Sequence, residues 1–176
     1  DTTVPVVFTG SQRSADRPSS DNVMNAVCAV EAATSDCAEV LICMHATPSD
    51  DRCALNRATR ARKSHTSRRD AFETVGRSPL GYVEYGRTEE SVHWRRDPAP
   101  RGETELALAP DLAEDVHHVT FAPGMDERFL DVCEGAAGVV IEGTGLGHVS
   151  TDLVDQIAAL VDDGTPVVMT SQCLEG

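Results

Sequence analysis

Lys63 is the only lysine among the 176 residues of this sequence, and the other cationic positions are arginines. It lies in a basic segment, residues 57–72, and six of the 15 Lys and Arg residues fall between residues 57 and 69. Unlike an arginine, a lysine can lose its proton when burial or a neighbouring cation lowers its pKa, and it then acts as a general base or a Schiff-base amine. Spacing alone favours the alternative interpretation, in which Lys63 is a solvated surface cation like the arginines around it.

A second group of candidate residues follows the first apolar run. Residues 4–9 (Val-Pro-Val-Val-Phe-Thr) end at Gly10 and predict a buried strand of a parallel sheet. Residues 10–13 (Gly-Ser-Gln-Arg) then leave the carboxyl end of this strand, which is where ligands bind in open α/β sheets. We therefore treat this segment as a candidate ligand-binding loop.

Glycines at alternate positions mark a third segment, residues 143–148 (Gly-Thr-Gly-Leu-Gly-His). Glycines let the backbone approach a ligand or another protein chain closely. The spacing does not match a dinucleotide-binding fingerprint, since the third glycine comes one position early. A tight structural turn explains the segment equally well.

The elements that must position these residues begin with a helix, which we predict over residues 21–33. A second buried strand is predicted over residues 39–45. A hairpin of residues 82–85 and 91–94 is predicted to turn at Gly86.

We expect Ser20 or Asp21 to be the N-cap of the first helix. Its apolar positions, which we assign to the core, are Val23, Ala26, Val27 and Val30. Residues 46–78 show no clear period, so we predict one long loop there, functional or mobile, with Lys63 inside it.

The second half of the chain follows a linker. Residues 95–105 include Pro98, Pro100 and Gly102 and little that can be buried, so we interpret residues 95–114 as a linker. Beyond it the pattern is β-α-β-α-β, which predicts parallel strands joined by right-handed crossovers.

The predicted strands of this second half are residues 116–121, 138–142 and 166–170, and the predicted helices are residues 125–134 and 151–162. Ser150 is expected to cap the second helix and Gly164 to end it. The expected inner stripe of that helix is Leu153, Val154, Ile157, Leu160 and Val161.

Composition limits the function classes. The formal net charge is −14, with 29 acidic residues against 15 Lys and Arg, and nearly all of the cations are arginines. Such a surface suits a cytoplasm of very high salt, and it argues against broad non-specific nucleic-acid binding. No apolar run approaches the roughly 18 residues of a membrane span and no signal peptide is visible, so we expect a cytoplasmic protein without a membrane partner.

Six cysteines are present, but they form no Cys-x-x-Cys pair and the histidines complete no zinc spacing. Cys28, Cys43 and Cys133 have apolar neighbours, so we interpret them as small buried hydrophobes in a reducing compartment. We predict no metal site.

Several segments, taken together and in order, resemble the asparaginase family, and within it the D subunits of archaeal glutamyl-tRNA(Gln) amidotransferases. These segments are residues 5–13, 17–21, 62–72, 79–82, 139–148 and 166–173. The resemblance implies an α/β fold with a parallel-sheet larger domain, whose N-terminal part is missing, followed by a smaller α/β domain. We divide the chain into residues 1–94, the linker 95–114 and residues 115–176.

The resemblance implies a glutaminase. In that family a threonine hydroxyl, activated by a threonine, aspartate and lysine set, attacks the amide of glutamine, ammonia leaves, and a glutamyl ester is hydrolysed. Lys63 matches the lysine, and Gly10, Ser11 and Gln12 match the loop beside the substrate pocket. The nucleophile and the threonine-aspartate pair lie upstream of Val4 in the family, so we expect an internal piece of a longer polypeptide that is inactive alone.

In the family a loop from a neighbouring protomer closes each site. Gly145 and His148 lie in the matching loop here, although its residues depart from the asparagine-containing version of the asparaginases. The resemblance further implies glutamine as substrate, a homodimer of D subunits within a heterotetramer, and a partner E subunit that uses ATP to amidate Glu-tRNA(Gln). No cofactor is expected to bind this chain directly. The alternatives are a free L-asparaginase and a non-catalytic α/β scaffold.

Overall fold

Contacts divide the chain into two units, Asp1–Leu108 and Ala109–Gly176. The computed structural model describes residues 1–87, 89–103 and 105–175. The division falls inside the segment that we interpret as a linker. Part of that segment is attached to the first unit, because the N–H of Ala38 donates to the carbonyl of Ala99 and the N–H of Gly102 donates to that of Thr3.

In its described residues, the first unit contains one mixed sheet, one helix and a separate two-stranded sheet. Its elements are β1 (Val6–Phe8), α1 (Asn22–Thr34), β2 (Val40–His45), β3 (Arg52–Arg57), β4 (Ala61–Lys63), β5 (Phe72–Thr74), β6 (Gly81–Glu84) and β7 (Val92–Trp94). The strand order of the large sheet is β1-β2-β3-β6-β7, and only β1 and β2 run parallel. The predicted hairpin is present as β6 and β7, and Gly86 adopts the positive φ that its turn needs.

Helix α1 buries a different face from the one that we predict. All four predicted core positions, Val23, Ala26, Val27 and Val30, are exposed. The buried face consists of Met24, Asn25, Cys28, Ala29 and Ala32. The prediction was wrong because both faces of the helix carry apolar residues, so the helical period alone does not select one. The small side chains of the buried face let the helix pack closely on the sheet.

The predicted long loop, residues 46–78, contains three strands. Strand β3 lies between β2 and β6, and its residues Cys53, Ala54, Leu55 and Asn56 are all buried. A strand covered on both faces shows no alternation of apolar and polar residues, which explains why its period is absent from the sequence. The other two strands, β4 and β5, form the two-stranded sheet that carries Lys63.

Strand β1 is shorter and more exposed than we predict. Val7 packs against the core, whereas Val6 and Phe8 are exposed. The reason is that β1 lies at the edge of the described sheet and alternate side chains of a strand point to opposite faces.

The second unit has three parallel strands, as predicted. They are β8 (Val116–Thr120), β9 (Gly138–Gly143) and β10 (Val167–Ser171), with β9 in the centre. Residues Glu127–Cys133 form a 3₁₀ helix where we predict an α-helix, and a second 3₁₀ turn, Thr151–Leu153, precedes α2 (Val154–Asp162).

The caps of the second helical segment agree with the sequence. The side chain of Ser150 accepts a hydrogen bond from the N–H of Asp152, and Gly164 has a positive φ just past the end of α2. Of the predicted inner stripe, Leu153 and Leu160 are buried and Ile157 packs beside them, but Val154 and Val161 are exposed. A short helix on a small sheet buries only a narrow stripe of its own surface, so the apolar pattern predicts more buried positions than the structure has.

The cysteines behave largely as predicted. Cys28, Cys43 and Cys133 are buried, as are two others, while Cys173 is exposed, and all six are free thiols. Neither α-helix in the described part of the chain has the length and apolar character needed to cross a bilayer.

Candidate active site

A cleft of about 330 Å³ opens in the first unit at the carboxyl end of β1. Its lining residues are Phe8, Thr9, Gly10, Ser11, Gln12, Ile42, Met44, Lys63 and Phe72. Three elements supply them: β1 with its following loop, β2, and the hairpin of β4 and β5. The structure thus brings Lys63 together with Gly10, Ser11 and Gln12, although more than 50 residues of sequence separate them.

The hairpin positions Lys63 at the cleft. Lys63 ends β4 and pairs with Phe72 at the start of β5, and the N–H of Ser64 donates to the carbonyl of Ala71 at 2.7 Å, which closes the hairpin. The Lys63 side chain is exposed, and no described residue forms a hydrogen bond or ion pair with its ammonium group. The amine is therefore available to a ligand in the cleft.

Asp21 fixes the loop on the opposite side of the cleft. It precedes α1, but its carboxylate makes no capping bond to the helix. Instead it accepts hydrogen bonds from the backbone N–H of Gln12, at 3.0 and 3.1 Å, and from that of Arg13 at 3.0 Å. Because Asp21 is fully buried, these charge-assisted bonds are strong constraints on the loop.

Asn25 binds the same loop one helical turn later. Its side-chain amide donates to the carbonyl of Gly10 at 2.8 Å and to the carboxylate of Asp21 at 2.9 Å. Sequence reasoning missed Asn25 because the buried face of α1 was assigned wrongly. A polar residue among Met24, Cys28 and Ala32 at helical spacing was the available signal.

Much of the basic segment is paired within the unit. Arg57 forms two hydrogen bonds with Glu39, at 3.0 and 2.5 Å, and Arg68 forms two with Asp70. The bond from Arg68 holds the pKa of Asp70 below its ordinary value. The concentration of cations around Lys63 is therefore partly a set of structural ion pairs.

The predicted loop of the second unit forms a tight turn. Thr144 and His148 exchange backbone hydrogen bonds of 2.8 Å in each direction, and Gly145 and Gly147 have positive φ angles. Gly145 and His148 are exposed in this turn. Gly143 must be a glycine, because a Cβ there would lie 2.4 Å from the carbonyl carbon of Gly147.

The second unit also has a groove of about 320 Å³, between the Glu127–Cys133 helix and α2. Its charged lining residues are Asp131, Glu134 and Asp163. None of the predicted site residues lines it. The lysine cleft gathers Lys63, Gly10, Ser11 and Gln12, so it is the better candidate site.

Family models match both units. Residues 1–100 match the N-terminal asparaginase model. Residues 115–176 match the glutaminase/asparaginase C-terminal domain. These two matches cover all of the predicted site residues.

Curated relatives and solved structures agree with the family models. The chain is 66% identical over 188 residues to the D subunit of the glutamyl-tRNA(Gln) amidotransferase of Halobacterium salinarum, an alignment that covers 100% of this chain and 43% of that protein. It is 60% identical over 179 residues to the D subunit of the Haloquadratum walsbyi amidotransferase, covering 100% of this chain and 40% of that protein. The chain thus spans less than half the length of these relatives.

The thermostable L-asparaginase from Thermococcus kodakarensis has the same fold, with a TM-score of 0.84 and 27% identity over 99% of this chain and 51% of that one. The α/β asparaginase-like fold that the resemblance implies is therefore confirmed. From the two family models, which together match residues 1–100 and 115–176, we conclude that the chain belongs to the asparaginase family.

Proposed function

We propose that this chain supplies the lysine and part of the substrate pocket of a glutaminase that serves a Glu-tRNA(Gln) amidotransferase. One observation supports the proposal above all. In a chain 66% identical to the D subunit of an amidotransferase, the only lysine lines the same cleft as Gly10, Ser11 and Gln12. An unpaired amine opposite a polar loop is what activation of a hydroxyl nucleophile beside a bound amide requires.

In this proposal Lys63 accepts a proton, directly or through a neighbour, from a threonine that lies in polypeptide beyond these 176 residues. The threonine oxygen attacks the side-chain amide carbon of glutamine, and its proton passes to the amide nitrogen, which leaves as ammonia as the C–N bond breaks. Water then hydrolyses the glutamyl ester and restores the threonine hydroxyl. The N–H of Gln12 is already bonded to Asp21. This N–H is therefore not offered to glutamine, and we assign the contacts from this loop to the side chains of Ser11 and Gln12.

The proposed partners follow from the resemblance to the D subunits of archaeal amidotransferases. Ammonia would pass to an E subunit, which uses ATP to activate Glu-tRNA(Gln) and converts it to Gln-tRNA(Gln), so that the complex acts as a ligase in protein biosynthesis. We assign no ATP-binding residue to this chain, and we place the complex in the cytoplasm, where charged tRNA is used. A homodimer of D subunits within a heterotetramer, with Gly145 and His148 near a neighbour's site, is part of the same proposal.

The net charge of −14 is typical of a protein that stays soluble and active at high salt concentration. The complete protein should therefore be assayed in molar KCl.

A free L-asparaginase is the second candidate, and the likeness to the Thermococcus kodakarensis enzyme favours it. The test compares ammonia release from glutamine and from asparagine by the complete protein, alone and with the E subunit, Glu-tRNA(Gln) and ATP. We expect glutamine turnover and formation of Gln-tRNA(Gln). Turnover of asparagine alone, without tRNA amidation, would favour the second candidate, and no turnover of either amide would favour a non-catalytic scaffold.

A further inference from the structure

The loop and the hairpin that form two sides of the cleft are joined by more than the sheet between them. Asp21 and Asn25 hold the loop from one side, through the bonds to Gln12, Arg13 and Gly10 described above. Asn25 also faces the imidazole of His45, the last residue of β2, which is fully buried. The contact between His45 Nδ1 and Asn25 Oδ1 measures 2.6 Å.

The hydrogen-bond pattern assigns the direction of this contact. The two amide hydrogens of Asn25 are used by Gly10 and Asp21. Its oxygen is therefore the acceptor, and Nδ1 of His45 is the donor. Cys53 also directs its thiol at the same oxygen, at 3.3 Å.

On its other side, His45 is linked to the hairpin of β4 and β5 through Asp50, which lies in the connection between β2 and β3. Its Nε2 lies 3.3 Å from Asp50 Oδ1, and Arg69 donates to the same oxygen at 2.6 Å. A carboxylate oxygen only accepts hydrogen bonds, so Arg69 is the donor to Asp50. Arg69 lies in the connection between β4 and β5, six residues after Lys63, and it also donates to the carbonyl of Pro48.

We propose that the relay Asp21–Asn25–His45–Asp50–Arg69 holds the two sides of the cleft in register, with Asn25, His45 and Arg69 as positioning residues for the site. This proposal rests on the proposed glutaminase for its kinetic consequence but not for its structural one. Three of the five members, Asp21, Asn25 and His45, are fully buried. Polar groups in a protein interior need hydrogen-bond partners. Removing one member of this relay would leave a buried polar group without its hydrogen-bond partner, which costs free energy. The relay therefore constrains the positions of the loop and the hairpin more than packing alone would.

The structural arm of the test needs no activity. In the complete protein we would measure amide hydrogen exchange of residues 10–13 in Arg69→Gln, with Arg68→Gln as the matched control. Arg68 is the neighbouring arginine and pairs with Asp70 rather than with the relay. We expect exchange at Gln12 and Arg13 to rise about tenfold in Arg69→Gln, roughly the loss of one charge-assisted hydrogen bond, and to stay unchanged in the control. Unchanged exchange in both variants would overturn the relay.

The kinetic arm is a double-mutant cycle that combines Asn25→Ser on the loop side with Arg69→Gln on the hairpin side. If the relay couples the two sides, each single variant should lower kcat/KM for glutamine about tenfold and the double variant should lose little more. Losses that multiply to about a hundredfold would mean that the two residues act independently, against the proposal. Should the wild-type protein hydrolyse no glutamine, the glutaminase proposal fails and the exchange experiment alone decides on the relay. If Asn25→Ser does not fold, the exchange in Arg69→Gln again decides.

Discussion

Arg68 donates two hydrogen bonds, of 2.9 and 2.6 Å, to the carboxylate of Asp70 in the connection that follows Lys63. The pKa of Asp70 is lower than its ordinary value, and the hydrogen bond from Arg68 is the largest cause of this lowering. The depressed pKa means that the folded state binds the Asp70 proton less readily than the unfolded chain. Stability from this pair is therefore complete above the ordinary aspartate value of 3.8 and is lost as pH falls through the lower folded pKa.

We expect Asp70→Asn to destabilise the complete protein at pH 7, and this difference from wild type to shrink as the pH is lowered below about 4. Denaturant unfolding at a series of pH values measures it. Arg68 is half exposed, so solvent screening keeps the effect small. A difference that stays constant down to pH 2.5 would contradict the role assigned to the ion pair.

Lys63→Arg tests the proposed base. A guanidinium stays charged, so the variant should keep its fold and lose glutaminase turnover by about 10²- to 10⁴-fold, the usual contribution of general acid–base catalysis. Ammonia release and thermal unfolding of the complete protein measure both effects. Arg62→Lys, one position earlier on β4, is the matched control and should keep wild-type rates. Wild-type turnover in Lys63→Arg would exclude Lys63 as the base.

The chain by itself should not hydrolyse glutamine. It contains the lysine, and we propose that the threonine nucleophile and the threonine-aspartate pair lie in polypeptide upstream of Val4. We expect no ammonia release from the purified 176-residue polypeptide when circular dichroism shows folded α/β secondary structure. Turnover by the folded chain would mean that one of its own hydroxyls attacks the amide.

Gly143→Ala should destabilise the second unit by about 1–3 kcal/mol, the usual cost of overpacking a well-packed site. The added Cβ would lie 2.6 Å from the carbonyl oxygen of Gly147, inside backbone that cannot move aside easily. Gly138→Ala is the control on the same strand, because its Cβ would meet no atom closer than 3.6 Å. Equal unfolding temperatures for the two variants would refute this account of the turn.

Thiol reagents should label Cys173 first. It is exposed, whereas Cys28 and Cys53 are buried beside each other and their surroundings raise the pKa of both thiols. Because the thiolate is the reactive form, the buried thiols should react only on unfolding. Among the six cysteines of this chain, mass spectrometry after brief iodoacetamide treatment of the native protein should show a label on Cys173 alone, and Cys173→Ser should show none. Rapid labelling of Cys28 in the native state would contradict the burial.

Sequence reasoning located the second-unit strands because parallel strands, caps and glycine turns leave local patterns. The family came instead from the resemblance of several segments in matching order. It could not find β3, because Cys53 to Asn56 are covered on both faces and show no alternation. It chose the wrong face of α1 because Val23 and Val27 look as apolar as Met24 and Cys28, and only the sheet decides between them.

The candidate site divides in the same way. Lys63 and the loop residues Gly10, Ser11 and Gln12 were accessible from residue type and from resemblance. The groups that hold them, above all Asn25 and His45, were not, since their partners are distant in sequence. Long-range hydrogen bonds between buried groups leave no period to detect.

The pairing of Lys63 with Phe72 makes this hairpin sensitive to length. Neighbouring side chains on a strand alternate between faces, so sliding β4 by a single residue against β5 would present Arg62 to the cleft and turn the amine away. An inserted or deleted residue between positions 64 and 71 should accordingly do more harm than most replacements there.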